Sequence, residues 1–266
     1  MKTSNESRRR FLKKTALLTA GITIIPGHVM SKPGRRAPSD KLNIAGIGIG
    51  GKGHVNLKAM STENIVGLCD VDWKYADNCF KEFPSAKRYW DWRKMFDEME
   101  KSIDAVMIST ADHTHAIIAA TALTLGKHVY CQKPLTHSVY ESRLLTKLAE
   151  KYKVATQMGN QGSSGDGVRQ LCEWIWNNEI GEIREVHAWT DRPIWPQGIQ
   201  RPAKAMPVPK TLNWDLFIGP APVRPYHEIY TPWNWRGWWD FGTGAFGDMA
   251  CHVLDPVYRS LKLGYP

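Results

Sequence analysis

Thiols are scarce in this 266-residue chain: the five cysteines, Cys69, Cys79, Cys131, Cys172 and Cys251, include no C-x-x-C pair. Neither a zinc site nor a disulfide framework is indicated. His113 and His115 have no third ligand near them in sequence, so no metal is assigned. Long apolar runs are also missing, since the stretch from Thr15 to Ile25 is too short to cross a bilayer comfortably. A charge excess of one sign is absent from the body of the chain. The formal net charge is +9, but residues 1–41 hold 10 Lys/Arg against 2 Asp/Glu, leaving 25 against 24 for the rest. A nucleic-acid or polybasic membrane role therefore has no support.

What is present is enough for a folded core, with 42% hydrophobic and 11% aromatic residues. The N-terminal charge has its own explanation: Ser7-Arg8-Arg9-Arg10-Phe11-Leu12-Lys13 ahead of the short apolar run resembles a twin-arginine export signal. Residues 1–40 are expected to be that signal and a Pro/Gly-containing linker, and the protein to be periplasmic without a stable membrane anchor.

The chain is organised around Leu42–His54, a buried-strand pattern running into Gly48-x-Gly50-x-x-Gly53. The first glycine permits the tight turn, the second lets backbone approach a pyrophosphate, and the third lets helix pack on strand. A second apolar run ends in Asp70, 22 residues after Gly48, where a carboxylate meets the ribose hydroxyls of NAD and repels a 2′-phosphate. NAD is expected over NADP. Apolar runs at Ile103–Thr110, Lys127–Cys131 and Val154–Met158 alternate with helical stretches, one opening on the capping box Ser138-x-x-Glu141. That alternation predicts an α/β fold with a parallel sheet, a Rossmann domain over 41–162, and ligands beyond the strand ends. There Lys133, fixed before Pro134, either points into the crevice or is a solvated surface lysine.

Residues 163–266 read as a partial α+β substrate domain, with a helix, then Ile183–Trp189 alternating as a half-buried strand. Residues 193–232 hold nine of the sixteen prolines, and 189–239 hold seven of the twelve tryptophans. These rings form either core or sugar-stacking faces. In the glycine-opened helix that follows, Asp248, His252 and Asp255 stand at i, i+4 and i+7, on one face. A histidine there can take a proton from an alcohol as hydride leaves.

Together the glycine turn, Ser109-Thr110 with His113-Thr114-His115, Lys133-Pro134, and the Gly-rich turn before Asp248-x-x-x-His252 resemble the Gfo/Idh/MocA family of NAD(P)-dependent oxidoreductases. The resemblance implies hydride transfer between a sugar, polyol or cyclitol carbon and nicotinamide. It implies Lys133, Asp248 and His252 as catalytic residues. It also implies cofactor contacts from Gly48, Gly50, Gly51, Gly53, Asp70, Ser109, Thr110, His115, Gln132, Lys133 and Gln161. Gln132 stands where the family usually has glutamate, and Gly242-Thr243-Gly244 where it has three glycines. Alternative functions are NAD-assisted, redox-neutral glycoside cleavage and a catalytically weak NAD- and sugar-binding protein. Because family members continue well past this point, the chain is expected to be C-terminally truncated, with weak or absent activity, and a homo-oligomer only at full length.

Overall fold

Six short strands form a single parallel sheet. In the computed structural model, which describes residues 40–264, the strands are β1 Asn43–Ile47, β2 Asn64–Cys69, β3 Lys87–Tyr89, β4 Ala105–Ile108, β5 His128–Gln132 and β6 Thr156–Gly159, in the order β3-β2-β1-β4-β5-β6. Every pairing is parallel, with Ile47 opposite both Cys69 and Ile108, and Cys131 opposite Met158. This is a Rossmann fold. Order reverses beside β1, so the chain leaves the paired strands β1 and β4 toward opposite faces and a crevice opens at their carboxyl ends.

Successive side chains of a strand point to opposite faces, and both faces are buried here. Ala45, Ile47, Val106 and Ile108 pack on one side with Met95, Phe96 and Ile118, while Ile44, Leu68 and Met107 pack on the other with Leu57 and Phe80. The covering helices are α1 Lys52–Ala59, α2 Asp77–Glu82, α3 Trp92–Met99, α4 Asp112–Thr124 and α5 Val139–Tyr152. The capping box forms as expected: Ser138 Oγ accepts from Glu141 N, and Glu141 Oε2 accepts from Ser138 N at 2.9 Å. The edge strand β3 has three residues and exposes Lys87 and Arg88, which blunts it against further pairing.

Beyond β6 come α6 Asp166–Trp176, α7 Trp214–Ile218, α8 Gly244–Val253 and α9 Asp255–Ser260. The described residues from Leu42 onward form one compact unit. The expected strand at Ile183–Trp189 is not formed, and Val186 and Trp189 are exposed. Its alternation is real, but no strand lies beside it among the described residues, and an isolated extended segment satisfies no backbone groups. The expected single helix across Asp248 and Asp255 is likewise broken, because Pro256 has no N–H to give and turns the chain at Leu254.

The tryptophan-rich segment is mostly core. Trp214, Trp235, Trp238, Tyr226, Tyr230 and Phe241 cluster with Leu212 and Ile218 against Ala111, at the carboxyl end of β4. Trp214 stacks on Phe217 at 5.1 Å, and the buried Arg224 lies 4.9 Å over Phe241 while pairing with Asp240. Trp239 remains exposed. The twin-arginine stretch and linker lie outside the described residues, and no described helix is long and apolar enough to cross a membrane.

Candidate active site

The glycine turn is shaped by contact. Gly48 has φ 72, and a Cβ there would sit 2.6 Å from Thr110 N, while a Cβ on Gly53 would overlap the Gly48 carbonyl oxygen. Helix α1 therefore starts hard against β1, capped by Gly51, with no side chain satisfying its first N–H groups and no acid in its first turn. Unpaired N–H groups at a helix start favour an anion.

Asp70, at the end of β2, closes the turn from the side: Oδ2 accepts from Ile49 N at 2.8 Å and Gly50 N at 3.1 Å, and Oδ1 from Asp72 N at 2.9 Å. Burial pushes its pKa up to about 6, against those three donors, which favour the charged form. The ring of Tyr75 lies over Gly50 and Gly51, in the space a side chain would fill. The crevice, about 420 Å³, is lined by Gly48, Gly50 and Asp70 on one side and by Ser109, Thr110 and Lys133 further along. A glycine turn without side chains, covered here by Tyr75, an uncapped helix start and a carboxylate one strand over fit a dinucleotide.

Not every expected contact faces this crevice. His115 is buried, with Nδ1 2.8 Å from the Pro134 carbonyl oxygen and Nε2 3.1 Å from that of Thr110. Burial opposes its charge, yet Cys131, Asp112 and the Pro134 carbonyl outweigh it and lift the pKa to about 9. It ties two loops together, so its expected cofactor contact is replaced by an internal one. Gln161 sits outside the crevice, exposed, its Nε2 3.4 Å from Tyr130 Oη. Gln132 lines the crevice, but its Oε1 already accepts from Lys133 N at 2.9 Å.

Of the three expected catalytic side chains, Lys133 from the end of β5 and Asp248 from α8 meet, and Lys133 lines the crevice. Lys133 Nζ donates to Asp248 O at 2.7 Å and to Asp248 Oδ1 at 2.9 Å, across 115 residues of sequence. His252 follows Asp248 by one turn of α8 and is half-buried. Burial lowers its pKa, the Lys133 charge lowers it further, and Asp248 partly restores it. A histidine so placed is neutral near pH 7 and able to accept a proton. Asp255 has left this face: its Oδ2 accepts from Ser163 Oγ at 2.6 Å.

Residues to which the sequence assigned no role in the site hold α8 in place. Asp112 Oδ2 accepts from Thr243 N at 3.1 Å and Oγ1 at 3.0 Å, and His137 Nε2 lies 3.1 Å from Gly242 O. His113, its pKa pushed down to about 4 by burial, has Nδ1 3.1 Å from Phe241 O and Nε2 2.9 Å from Phe217 O. Arg236, with Nε 3.5 Å from Asp248 Oδ1, was likewise assigned none. Asp112 and His113 lay in the loop after β4 that the sequence marked for its His-Thr-His signature; Arg236 and His137 had no signal.

The model of an oxidoreductase family with an NAD-binding Rossmann fold (GFO/IDH/MocA) matches residues 41–160, and that of the family's C-terminal alpha/beta domain matches residues 182–263. Inositol 2-dehydrogenase of Salmonella paratyphi B is 29% identical over 151 residues, 55% of this chain and 44% of that protein. Glucose-6-phosphate 3-dehydrogenase of Bacillus subtilis is 30% identical over 146 residues, 53% of this chain and 39% of that protein. The solved structure of an oxidoreductase from Pseudomonas syringae superposes with a TM-score of 0.50 at 27% identity, covering 56% of this chain and 44% of that one. The chain thus spans less than half the length of these relatives.

Proposed function

This chain belongs to the GFO/IDH/MocA oxidoreductase family, and on that premise we propose that it transfers a hydride between a CH–OH carbon of a sugar, polyol or cyclitol and a nicotinamide dinucleotide, NAD in preference to NADP. The observation that carries this reading is the Lys133–Asp248 ion pair: Lys133 lines the glycine-turn crevice, and Asp248 holds it from α8, with His252 one helical turn on. Two relatives named as dehydrogenases of inositol and of a sugar phosphate support the substrate class.

The bound nicotinamide would supply the hydride acceptor. The glycine turn and the α1 N-terminus would hold the phosphates, and Asp70 would accept from the ribose hydroxyls. An ammonium has three donors and Lys133 spends two on Asp248, so the third is free to polarise the reacting oxygen. Asp248 holds that ammonium in place and orients the substrate. His252, neutral at working pH, takes the hydroxyl proton. The stretch Ser7–Lys13, which resembles a twin-arginine signal, supports export of the folded protein to the periplasm with nucleotide bound beforehand.

The test is native mass spectrometry for the copurifying nucleotide, followed by a panel of sugars and polyols. Bound NAD and its reduction by a panel member are expected. Substrate conversion without net NADH would favour redox-neutral glycoside cleavage, and NADP in place of NAD would sink the assigned preference.

A further inference from the structure

Arg236 lies on the turn Asn234–Gly237, at the end of the tryptophan-rich segment. Its guanidinium is 4.0 Å from the ring centroid of Trp233 and 4.2 Å from that of Trp235, and Nη1 donates to Trp233 O at 3.1 Å. Two aromatic faces and a carbonyl fix the plane of the group. Its side chain is 18% exposed, so the charge is largely out of water and needs a partner. That partner is Asp248 Oδ1, the same oxygen that accepts from Lys133.

Asp248 is therefore gripped by two cations on separate parts of the chain. Lys133 comes from the end of β5, Arg236 from between the core tryptophans Trp235 and Trp238. Both ion pairs fall on Oδ1, which leaves Oδ2 unspent, and both cations line the crevice. Asp112, Tyr75 and Asp248 are the groups whose charge acts on Arg236, and Asp112 is committed to Thr243. Asp248 is its only ion-pair partner among the described residues.

We infer that Arg236 is a positioning residue that acts through Asp248: it fixes the carboxylate and so keeps the Lys133 ammonium aimed at the reacting oxygen. The inference rests on the hydride-transfer reading above. Without Arg236 the carboxylate is free to rotate about its side-chain bonds, and Lys133 follows it. A displacement of about 1 Å at a reacting group costs roughly a hundredfold in rate.

The experiment is a double-mutant cycle with Arg236→Met and Asp248→Asn, read in turnover, in NAD affinity and in melting temperature. Arg236→Met alone is expected to lower kcat by about 10–100-fold with NAD affinity unchanged, and Arg236→Lys to recover part of the loss. In the Asp248→Asn background, Arg236→Met should cost little more, because residues that act as a unit are not additive. Additive losses in kcat would overturn the inference by making Arg236 an independent substrate contact. A loss of NAD affinity in Arg236→Met would overturn it in favour of a cofactor contact. If the parent protein turns over no sugar or polyol, the reaction reading fails. The melting-temperature cycle needs no substrate: coupling there supports the pairing, and its absence removes it.

Discussion

Asp70→Asn separates what the Asp70 carboxylate costs the fold from what it does for the nucleotide. Burial raises its pKa from the usual 3.8 to about 6. Between those values the folded protein keeps a proton that the unfolded chain has released. The stability contributed by this group is therefore fully present below about pH 3.8 and lost as pH rises through about 6. The difference corresponds to about 3 kcal/mol of destabilisation at pH 8. Asparagine removes that cost, but its amide nitrogen would face Asp72 N, leaving a part-buried donor unpaired at up to about 1–3 kcal/mol, independent of pH. Near pH 8 the two effects nearly cancel, and the variant should be equal to or up to about 2 kcal/mol more stable than the parent. Near pH 4 only the lost hydrogen bond remains, so the variant should be less stable. Chemical denaturation of nucleotide-free protein across pH 4–8 reads this crossover directly. The same variant should bind NAD more weakly and lose its preference over NADP. A stability difference that stays constant from pH 4 to pH 8 would refute the account of Asp70.

Other substitutions have outcomes of different kinds. Lys133→Met and His252→Ala should each lower turnover by about 10²–10⁴ while nucleotide affinity measured by fluorescence holds. Lys133 depresses the His252 pKa, so the acid limb of the rate profile should lie below the ordinary histidine range and move up in Lys133→Met. Gly53→Ala, whose new Cβ would strike the Gly48 carbonyl, should cost about 1–3 kcal/mol or more of stability and abolish nucleotide binding. Tyr75 covers Gly50 and Gly51, so Tyr75→Ala should speed nucleotide association in stopped-flow measurements; slower association would mean that the ring helps hold the ligand.

The parts legible in the sequence were those with local causes. Gly48 and Gly53 are glycines because neighbouring backbone leaves no room, and Ser138-x-x-Glu141 caps a helix through bonds three residues apart. The sheet followed from buried runs alternating with helices. Long-range partners were not legible. Nothing about His115 alone says whether its nitrogens meet a cofactor or the carbonyls of Thr110 and Pro134. The alternation at Ile183–Trp189 signals a strand only where a neighbour exists to pair with it. Asp255 kept its helical spacing on paper, but Pro256 broke the face it was to share. Lys133 and Asp248 were each singled out, yet their contact depends on Asp112 and His137 pinning the turn that starts α8.

The central claim is that this crevice carries hydride between a CH–OH carbon and nicotinamide through Lys133. A single-turnover experiment with stoichiometric NAD bound to the protein tests it even where steady-state activity is weak, by following the fluorescence of the reduced nicotinamide as each sugar or polyol is added. The account predicts reduction of the bound nicotinamide by at least one of them, slowed by about 10²–10⁴ in Lys133→Met. Nicotinamide that stays oxidised with every substrate, or is reduced as fast in Lys133→Met, would contradict it.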